Sequence, residues 1–399
     1  MQARNIYGNN KLDEVLLITL IATLPMFSMR GLTGGMSITV FVFGLILARS
    51  MFSIKALQRY MRSADRLDLY ILLLIVLALI SGVVTLNEGW TSTLFSATSY
   101  FVFFIGLKMH ITRLHPESIL PVLLIGVKIG LVLYLVIVLY SLSSVGLAIN
   151  GISYWQLTYK VYFSVNSVFG SEDFTSKSIM RNTIGEAFVL YCLLIYMQMT
   201  RGKSFLGIFL VLTVVLIILT FSRRALVEMV IGLACISYLS FSFRDNKVKV
   251  ILGFLGVVGL LWFSFSGGLD IENRFSESSN NVGRFAHYNS GIQEISEQFL
   301  TGRGYGAKVA GDKFFHNFFG AYFHMLGVVG FIVALLIYSN IFKRFIGYIK
   351  AKDVLCALAV IPLIGSLVGS TVHGIFGPAA WIAIALLLSR DLHTGPKLR

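Results

Sequence analysis

The amino-acid sequence predicts an all-α integral membrane protein that crosses the bilayer about twelve times. Of its 399 residues, 56% are hydrophobic and 13% are charged, whereas soluble proteins carry about 25% charged residues. Several apolar runs reach the roughly 18 to 20 residues that a helix needs to cross a membrane. A water-soluble fold is therefore excluded, and any chemistry takes place in or at a membrane.

The candidate spans are twelve apolar runs. A short basic head precedes the first run, but no small-residue cleavage pattern follows it, so we interpret this run as a retained span and not a signal peptide. The runs cover about 14–29, 34–49, 69–86, 92–107, 118–145, 183–200, 205–221, 225–243, 248–266, 317–342, 354–370 and 372–389.

The charges of the short loops predict the orientation. An even number of spans, twelve or an alternative ten, places both termini on one side of the membrane. The outside turn at 86–91 carries no cation, whereas the loop at 49–66 carries five: Arg49, Lys55, Arg59, Arg62 and Arg66. Because cytoplasmic loops are enriched in lysine and arginine, both termini are predicted to be cytoplasmic.

The chain is predicted to form a single transmembrane domain over residues 1–399. Two long loops lie on the outside, at about 150–181 and about 267–315, and neither repeats nor a soluble domain are visible. The cysteines lie inside apolar runs and are interpreted as small packing residues, without disulfide or metal-type spacing: Cys192, Cys235 and Cys356.

Two adjacent arginines, Arg223 and Arg224, stand between two apolar runs with almost no loop. Charged side chains at membrane depth are costly and usually face a cavity or a partner. One interpretation is an electropositive pocket for an anionic group, since the guanidinium fork binds phosphate with two hydrogen bonds. The other is a pair that extends to the interface, with Glu228, one turn later, as a structural partner of Arg224.

A further arginine, Arg284, opens an amphipathic stretch in the 267–315 loop. Its apolar residues recur at spacings of 3 and 4: Phe285, Tyr288, Ile292, Ile295 and Phe299. This pattern predicts a helix at the membrane surface, with Arg284 either directed into the same pocket or solvated. Glu294 and Glu297 are compatible with a glycosidase acid and base, but we interpret them as a solvated face.

The stretch Thr301–Gly306 (TGRGYG) follows this helix. Its backbone N–H groups suit an anion, although any sharp turn after a helix has a similar composition. Beyond it, His316 precedes a long apolar helix, where a neutral imidazole suits the removal of a proton from a sugar hydroxyl. A capping role is the structural alternative, His287 is the main competitor, and no metal-site spacing is present. Weaker candidates lie within spans: His324 and His373.

These motifs together resemble the O-antigen ligase/polymerase superfamily of membrane glycosyltransferases. The resemblance includes Ser222-Arg223 at a span start, Gly283-Arg284 opening a helix, and the Gly-Arg-Gly-Tyr-Gly run. It also includes His316-Asn317, nine residues, Gly327, two residues and Gly330, a spacing similar to the O-antigen ligase signature. It covers roughly residues 182–330.

The resemblance implies a ligase of lipopolysaccharide biosynthesis in the bacterial inner membrane. Such an enzyme transfers a glycan from undecaprenyl pyrophosphate to a sugar hydroxyl of lipid A–core at the periplasmic face, without metal or nucleotide. His316 is then the base that activates the acceptor, and Arg223 and Arg284 stabilise the pyrophosphate leaving group. The expected partners are the two lipid-linked substrates and membrane lipids, with no nucleic acid.

Further substrate contacts are expected near these motifs. The candidates are Arg224, Arg181, Arg303, Tyr305 and Asn317. The chain departs from the family where a second arginine, Arg224, follows the Ser-Arg motif in place of a small residue, so either arginine is a candidate for the phosphate contact.

Two other functions compete. An O-antigen polymerase, or a polymerase of another surface polysaccharide, uses the same donor with a growing glycan as acceptor, and the nine-residue spacing favours the ligase. A transporter of lipid-linked sugars is expected to have ionisable residues or broken helices near the midplane of the bilayer. Lys128 is the clear mid-span cation. The other polar residues concentrate near the outer face and not at the midplane, which disfavours transport.

Overall fold

The fold is all-helical, as predicted. The structure is a computed structural model that describes residues 10–27, 37–51, 58, 64–144, 181–202, 204–220, 222–240, 278–309, 317–368 and 375–394. The regular secondary structure of these residues consists of helices, with no β-strand among them.

The described residues form twelve α-helices and three short 3-10 helices. The 3-10 helices are Leu24–Met26, Ser204–Leu206 and Val354–Ala359. The α-helices are α1 (Asn10–Thr23), α2 (Ile38–Met51), α3 (Arg66–Thr85), α4 (Trp90–Ile111), α5 (Pro116–Ser144), α6 (Arg181–Met199), α7 (Gly207–Leu219), α8 (Arg223–Ser240), α9 (Ser278–Glu297), α10 (Phe318–Lys350), α11 (Val360–Val368) and α12 (Pro378–Thr394).

Every predicted apolar run except 248–266 coincides with a described helix, and that run lies outside the described residues. Helix α9 is the predicted amphipathic helix and is not an apolar run. It begins at Ser278, so the prediction that Arg284 opens it was wrong. Four described helices are long and apolar enough to cross a membrane. They are Arg66–Thr85, Trp90–Ile111, Pro116–Ser143 and Phe318–Lys350. The count of twelve spans stays a prediction.

Helices α6 and α12 form the centre of the bundle. The residues of α6 from Ala187 to Ile195 are buried on every side, as are those of α12 from Ala379 to Leu388. A helix that is apolar around its whole circumference is expected to be surrounded by protein. By contrast, α3 and α5 expose leucine and valine side chains on one side, as helices at a lipid boundary do.

Two glycines bring α1 and α5 into close contact. A Cβ atom on Gly126 would lie 2.8 Å from the carbonyl oxygen of Ile18, and one on Gly130 would lie 2.8 Å from that of Ala22. Small residues four apart on one helix face let two backbones approach closely in a membrane. The hydroxyl of Tyr191 in α6 donates to the carbonyl of Ile21 at the same junction.

Ion pairs between neighbouring elements fall into two groups. The first group joins Asp13 to Arg49, Asp68 to Lys108, and Asp65 to Arg344. The second joins Arg224 to Glu186 in α6, and Arg303 to Glu297 in α9. Each pair connects residues that the sequence assigns to the same side of the membrane; the orientation stays a prediction. We call the end with the first group the inner end, and the opposite end the outer end.

Candidate functional site

The structure describes the predicted site residues to different extents. Arg181 is the first residue of α6, Arg223 is the first residue of α8, and Arg284 lies within α9; for these three the backbone alone is described. The predicted base, His316, lies outside the described residues, one position before the described Asn317.

The starts of α6 and α8 are in contact. The Oγ of Ser222 donates to the Oδ1 of Asn182 at 3.0 Å, and a Cβ atom on Gly185 would lie 2.8 Å from the Cβ of Ala225. Arg181 precedes Asn182 and Arg223 follows Ser222 in the chain. Two of the predicted site arginines therefore begin neighbouring helices at the outer end.

Ser222 in the Ser-Arg motif is the N-cap of α8. Its Oγ accepts the backbone N–H of Ala225 at 3.2 Å, and its carbonyl accepts that of Leu226 at 3.1 Å. A serine at this position satisfies one of the free N–H groups of the first turn. The positive end of the helix dipole then lies at the arginines, where it favours an anion.

Arg224 is directed into the protein. Its guanidinium donates to Glu186 at 2.9 Å and to Glu228 at 2.7 Å, and the residue is only 8% exposed. The predicted structural pairing of Arg224 with Glu228 is confirmed, and Glu186 from α6 is a second partner. Because two carboxylates already surround this cation, Arg224 is poorly suited to bind an anionic ligand.

The start of α10 packs close to the same carboxylate cluster. Asn317 is the N-cap of α10, and its Oδ1 accepts the N–H of Gly320 at 2.6 Å. The next residue, Phe318, stacks on Phe376 with the ring centroids 5.6 Å apart. Gly377, which follows Phe376, lies directly against the carboxylate of Glu186. Phe318, the first residue of α10, is thereby linked through two contacts to the helix that Arg181 begins.

Helix α10 is broken at Gly327, where φ is +64°. The break brings the carbonyl of Tyr322 so close to Gly330 that a Cβ atom there would lie 2.7 Å from it. Along a straight helix these two residues would be about 12 Å apart. Both glycines of the ligase-like signature are thus required by the shape of the broken helix.

The TGRGYG stretch and the preceding Phe299 supply hydrogen bonds that the break removes. The N–H of Arg303 donates to the carbonyl of His324 at 2.7 Å, and that of Gly304 donates to Met325 at 3.0 Å. The N–H of Val328, freed by the break, donates to Phe299 at 3.0 Å. The anion-binding interpretation of this stretch is therefore wrong for Arg303 and Gly304, since their N–H groups already bind carbonyls.

Steric contact explains two of the glycines at this junction. Gly302 has a φ of +70°, and a side chain on it would collide with the backbone of Met325 and Gly327. A side chain on Gly327 would likewise collide with the carbonyl of Leu300. Positive φ and a close backbone both exclude other residues, so the loop and the broken helix fit only as a pair.

A charged network joins α9 to the same junction. The Nε2 of His324, which is 2% exposed, lies 2.7 Å from the Oε2 of Glu294. The guanidinium of Arg303 lies 2.5 Å from Glu297 and 3.9 Å from Glu294. Interpreting Glu294 as part of a solvated face was wrong, because its carboxylate binds a buried histidine and anchors α9 to α10.

Tyr305 lies in the protein core. It is 1% exposed, and its backbone N–H donates to the Oγ of Ser81 at 3.0 Å. Burial raises the pKa of its hydroxyl. Asn87 reaches the same loop and donates to the carbonyl of Arg303 at 2.9 Å. The loop is thereby fastened to the turn between α3 and α4.

The structure thus brings together the starts of α6, α8 and α10, while Arg303 and Tyr305 belong to the junction at the break in α10. Sequence reasoning missed Asn182 and Glu186, although an ionisable residue inside an apolar run was a usable signal for Glu186. Among the described residues, no group of three or more His, Cys, Asp and Glu side chains is arranged to hold a metal ion.

Comparison of the chain with models of known protein families finds no match, and neither does comparison with curated protein sequences.

Proposed function

We propose that this protein is an O-antigen ligase that transfers a glycan from undecaprenyl pyrophosphate to lipid A–core at the periplasmic membrane face. The observation that carries the proposal is the contact between Asn182 and Ser222, 3.0 Å long. It joins two helix starts, each with an arginine in its first turn, and two helix dipoles favour an anion at the same place.

In the proposed reaction the acceptor hydroxyl gives its proton to His316. The hydroxyl oxygen then attacks the anomeric carbon of the donor glycan, and the bond from that carbon to the pyrophosphate oxygen breaks. The bonding electron pair leaves with undecaprenyl pyrophosphate. Arginines at the outer end stabilise this developing charge, which is where fixed positive groups accelerate a reaction most. The scheme requires neither a metal nor a nucleotide.

The contacts of Arg224 support a division of roles among the arginines in this proposal. Arg224 is held by Glu186 and Glu228, so we assign it a structural role in positioning the start of α8. Arg223 is then the pyrophosphate ligand in the Ser-Arg motif, with Arg284 as its partner and Arg181 as a nearby cation. Arginine suits this role because its planar fork binds two phosphate oxygens at once.

Exposed apolar side chains offer a surface for the lipid tails of the substrates. Ile292 of α9 and the adjoining Phe299 and Leu300 are all at least half exposed. They lie beside the broken helix, since the carbonyl of Phe299 accepts the N–H of Val328. A polyprenyl chain in the outer leaflet can contact this surface while its pyrophosphate lies at the arginines.

The second candidate is an O-antigen polymerase with the same donor. One observation favours keeping it: Gly327 and Gly330 are accounted for by the break in α10. The spacing that favours a ligase therefore serves a shape that both activities can use, and it carries no information about the acceptor.

The lipopolysaccharide banding pattern of cells that lack this protein separates the two candidates. Loss of all capped lipopolysaccharide with accumulation of long lipid-linked glycan supports the ligase. A core capped by a single repeat unit supports the polymerase. An unchanged ladder contradicts both and directs attention to another surface glycan. Complementation with the wild-type chain and with the His316→Ala variant tests whether the missing activity depends on the proposed base.

A further inference from the structure

A lysine in the middle of α5 lies against two aromatic rings of the α7 region. The Nζ of Lys128 is 5.3 Å from the ring centroid of Phe205 and 5.8 Å from that of Phe209. Phe205 belongs to the 3-10 turn before α7, and Phe209 lies in the first turn of α7. Both distances are short enough for a cation–π interaction.

Lys128 has no carboxylate within ion-pair distance among the described residues. Lys108, a buried lysine near the end of α4, shows the usual arrangement, with its ammonium 2.7 Å from the carboxylate of Asp68. An ammonium at membrane depth normally pairs with an anion or a backbone carbonyl. The two rings near Lys128 supply a partial attraction but no negative charge, so the site lacks a counter-ion from the described protein.

The ammonium lies beside the start of α7. The rings that it contacts belong to the start of α7, which follows the loop at Arg201 that the sequence assigns to the cytoplasmic side. A lysine side chain inside a membrane helix extends toward the interface in this way. Phe205 is 66% exposed and Arg201 is exposed as well, so the site opens outward to the lipid and is not enclosed by protein.

We propose that Lys128 binds the phosphate of an anionic phospholipid in the cytoplasmic leaflet, in the groove between α5 and α7. The ammonium is the ionic partner of the phosphate, the exposed Arg201 adds a second cation at the headgroup level, and Phe205 and Phe209 contact the acyl chains. Basic sites between membrane helices on the cytoplasmic side have the chemistry to hold anionic headgroups. This inference is independent of glycan transfer at the outer end.

Native mass spectrometry of the full-length protein tests the inference. The protein is released from micelles that contain equal amounts of phosphatidylglycerol and phosphatidylcholine, and bound lipids are counted. The wild type is expected to retain phosphatidylglycerol in preference to phosphatidylcholine. In the Lys128→Met variant this preference is expected to be about fivefold smaller, which is the effect of one cation near an anionic headgroup. The Lys128→Arg variant, which keeps the charge, is expected to retain it.

The matched control is Lys350→Met, which removes an exposed lysine at the inner end of α10 and is expected to leave the preference unchanged. If Lys128→Met does not fold, Lys128→Gln replaces it. Equal retention of phosphatidylglycerol by the wild type and the neutral variant overturns the inference. Displacement of the lipid by inorganic phosphate alone also overturns it, because the site would then bind a small anion.

Discussion

The inner and outer ends of the helix bundle use their charges in different ways. At the inner end, Lys108 pairs with Asp68 and Arg344 pairs with Asp65. At the outer end, a helix is broken at Gly327, and arginines begin two touching helices. The inner pairs hold neighbouring helices together, whereas Arg181 and Arg223 begin helices whose dipoles favour an anion.

The location of a cation in this protein matters more than the number of cations. Arg224 and Arg223 are adjacent in the chain, yet Arg224 is enclosed by Glu186 and Glu228. A buried arginine between two carboxylates stabilises packing only while the whole cluster is present. Arg303 is paired as well, with Glu297, so the proposed function assigns the substrate anion to Arg181, Arg223 and Arg284. The following experiments test this division of roles.

The largest expected effect is on activity. The His316→Ala variant should lose transfer by about 100-fold to 10,000-fold, the usual contribution of a general base, while still folding in the membrane. Glycan transfer in complemented knockout cells measures this loss. The matched control is His115→Ala, an exposed histidine at the inner end, which should keep normal activity. Wild-type turnover of the His316→Ala variant would contradict the assignment of His316 as the base.

The next effect is on stability. The Arg224→Ala variant leaves Glu186 and Glu228 buried without their cation, so we expect a loss of about 3–5 kcal/mol in the free energy of unfolding. Thermal unfolding of the detergent-solubilised protein, monitored by size-exclusion chromatography, measures the change. The control Arg303→Ala breaks ion pairs that are partly exposed and should cost about 1 kcal/mol or less. A similar cost for both variants would contradict the distinction between the buried and the exposed arginine.

A smaller loss of stability is expected at the broken helix. Gly327→Ala places a side chain at a positive φ and against the carbonyl of Leu300, so we expect destabilisation of about 1–3 kcal/mol. Gly347→Ala is the matched control in the same helix, since a Cβ atom there meets nothing within 4 Å. It should be neutral or stabilising by about 0.5–1 kcal/mol. Equal melting temperatures for the two variants would refute the steric argument.

The smallest effect separates charge from geometry at the outer end. The Arg284→Lys variant keeps the positive charge but loses the planar fork, so we expect transfer to fall about tenfold with unchanged stability. Initial rates with purified donor and acceptor measure the change. The same substitution at Arg201, an exposed cation at the inner end, should leave the rate unaltered. Unchanged turnover of the Arg284 variant would mean that this arginine contributes surface charge alone.

Local patterns in the chain predicted the helices and one of the contacts in the candidate site. The spacing of Phe285, Tyr288 and Ile292 predicted a helix where α9 occurs, and the four-residue separation of Arg224 and Glu228 predicted their pairing. The pairing of Glu294 with His324 could not be predicted in this way, because the two residues are 30 positions apart. The spacing of Gly327 and Gly330 was visible in the sequence. The reason for it was not, because it depends on the loop that packs against the broken helix.

The sequence by itself determined the membrane class, the helical segments and the predicted orientation, because these depend on apolar length, local periodicity and the charge of short loops. The tertiary structure alone brought a second carboxylate, that of Glu186, to Arg224. It also decided that the N–H groups of Arg303 and Gly304 bind the carbonyls of the broken helix. The physical reason is that a buried charge or a freed backbone group takes whichever partner folding brings within hydrogen-bond distance. The partner of Arg224 is Glu186, and the N–H groups of Arg303 and Gly304 bind carbonyls beside Gly327. In both cases the partner comes from a separate segment of the chain.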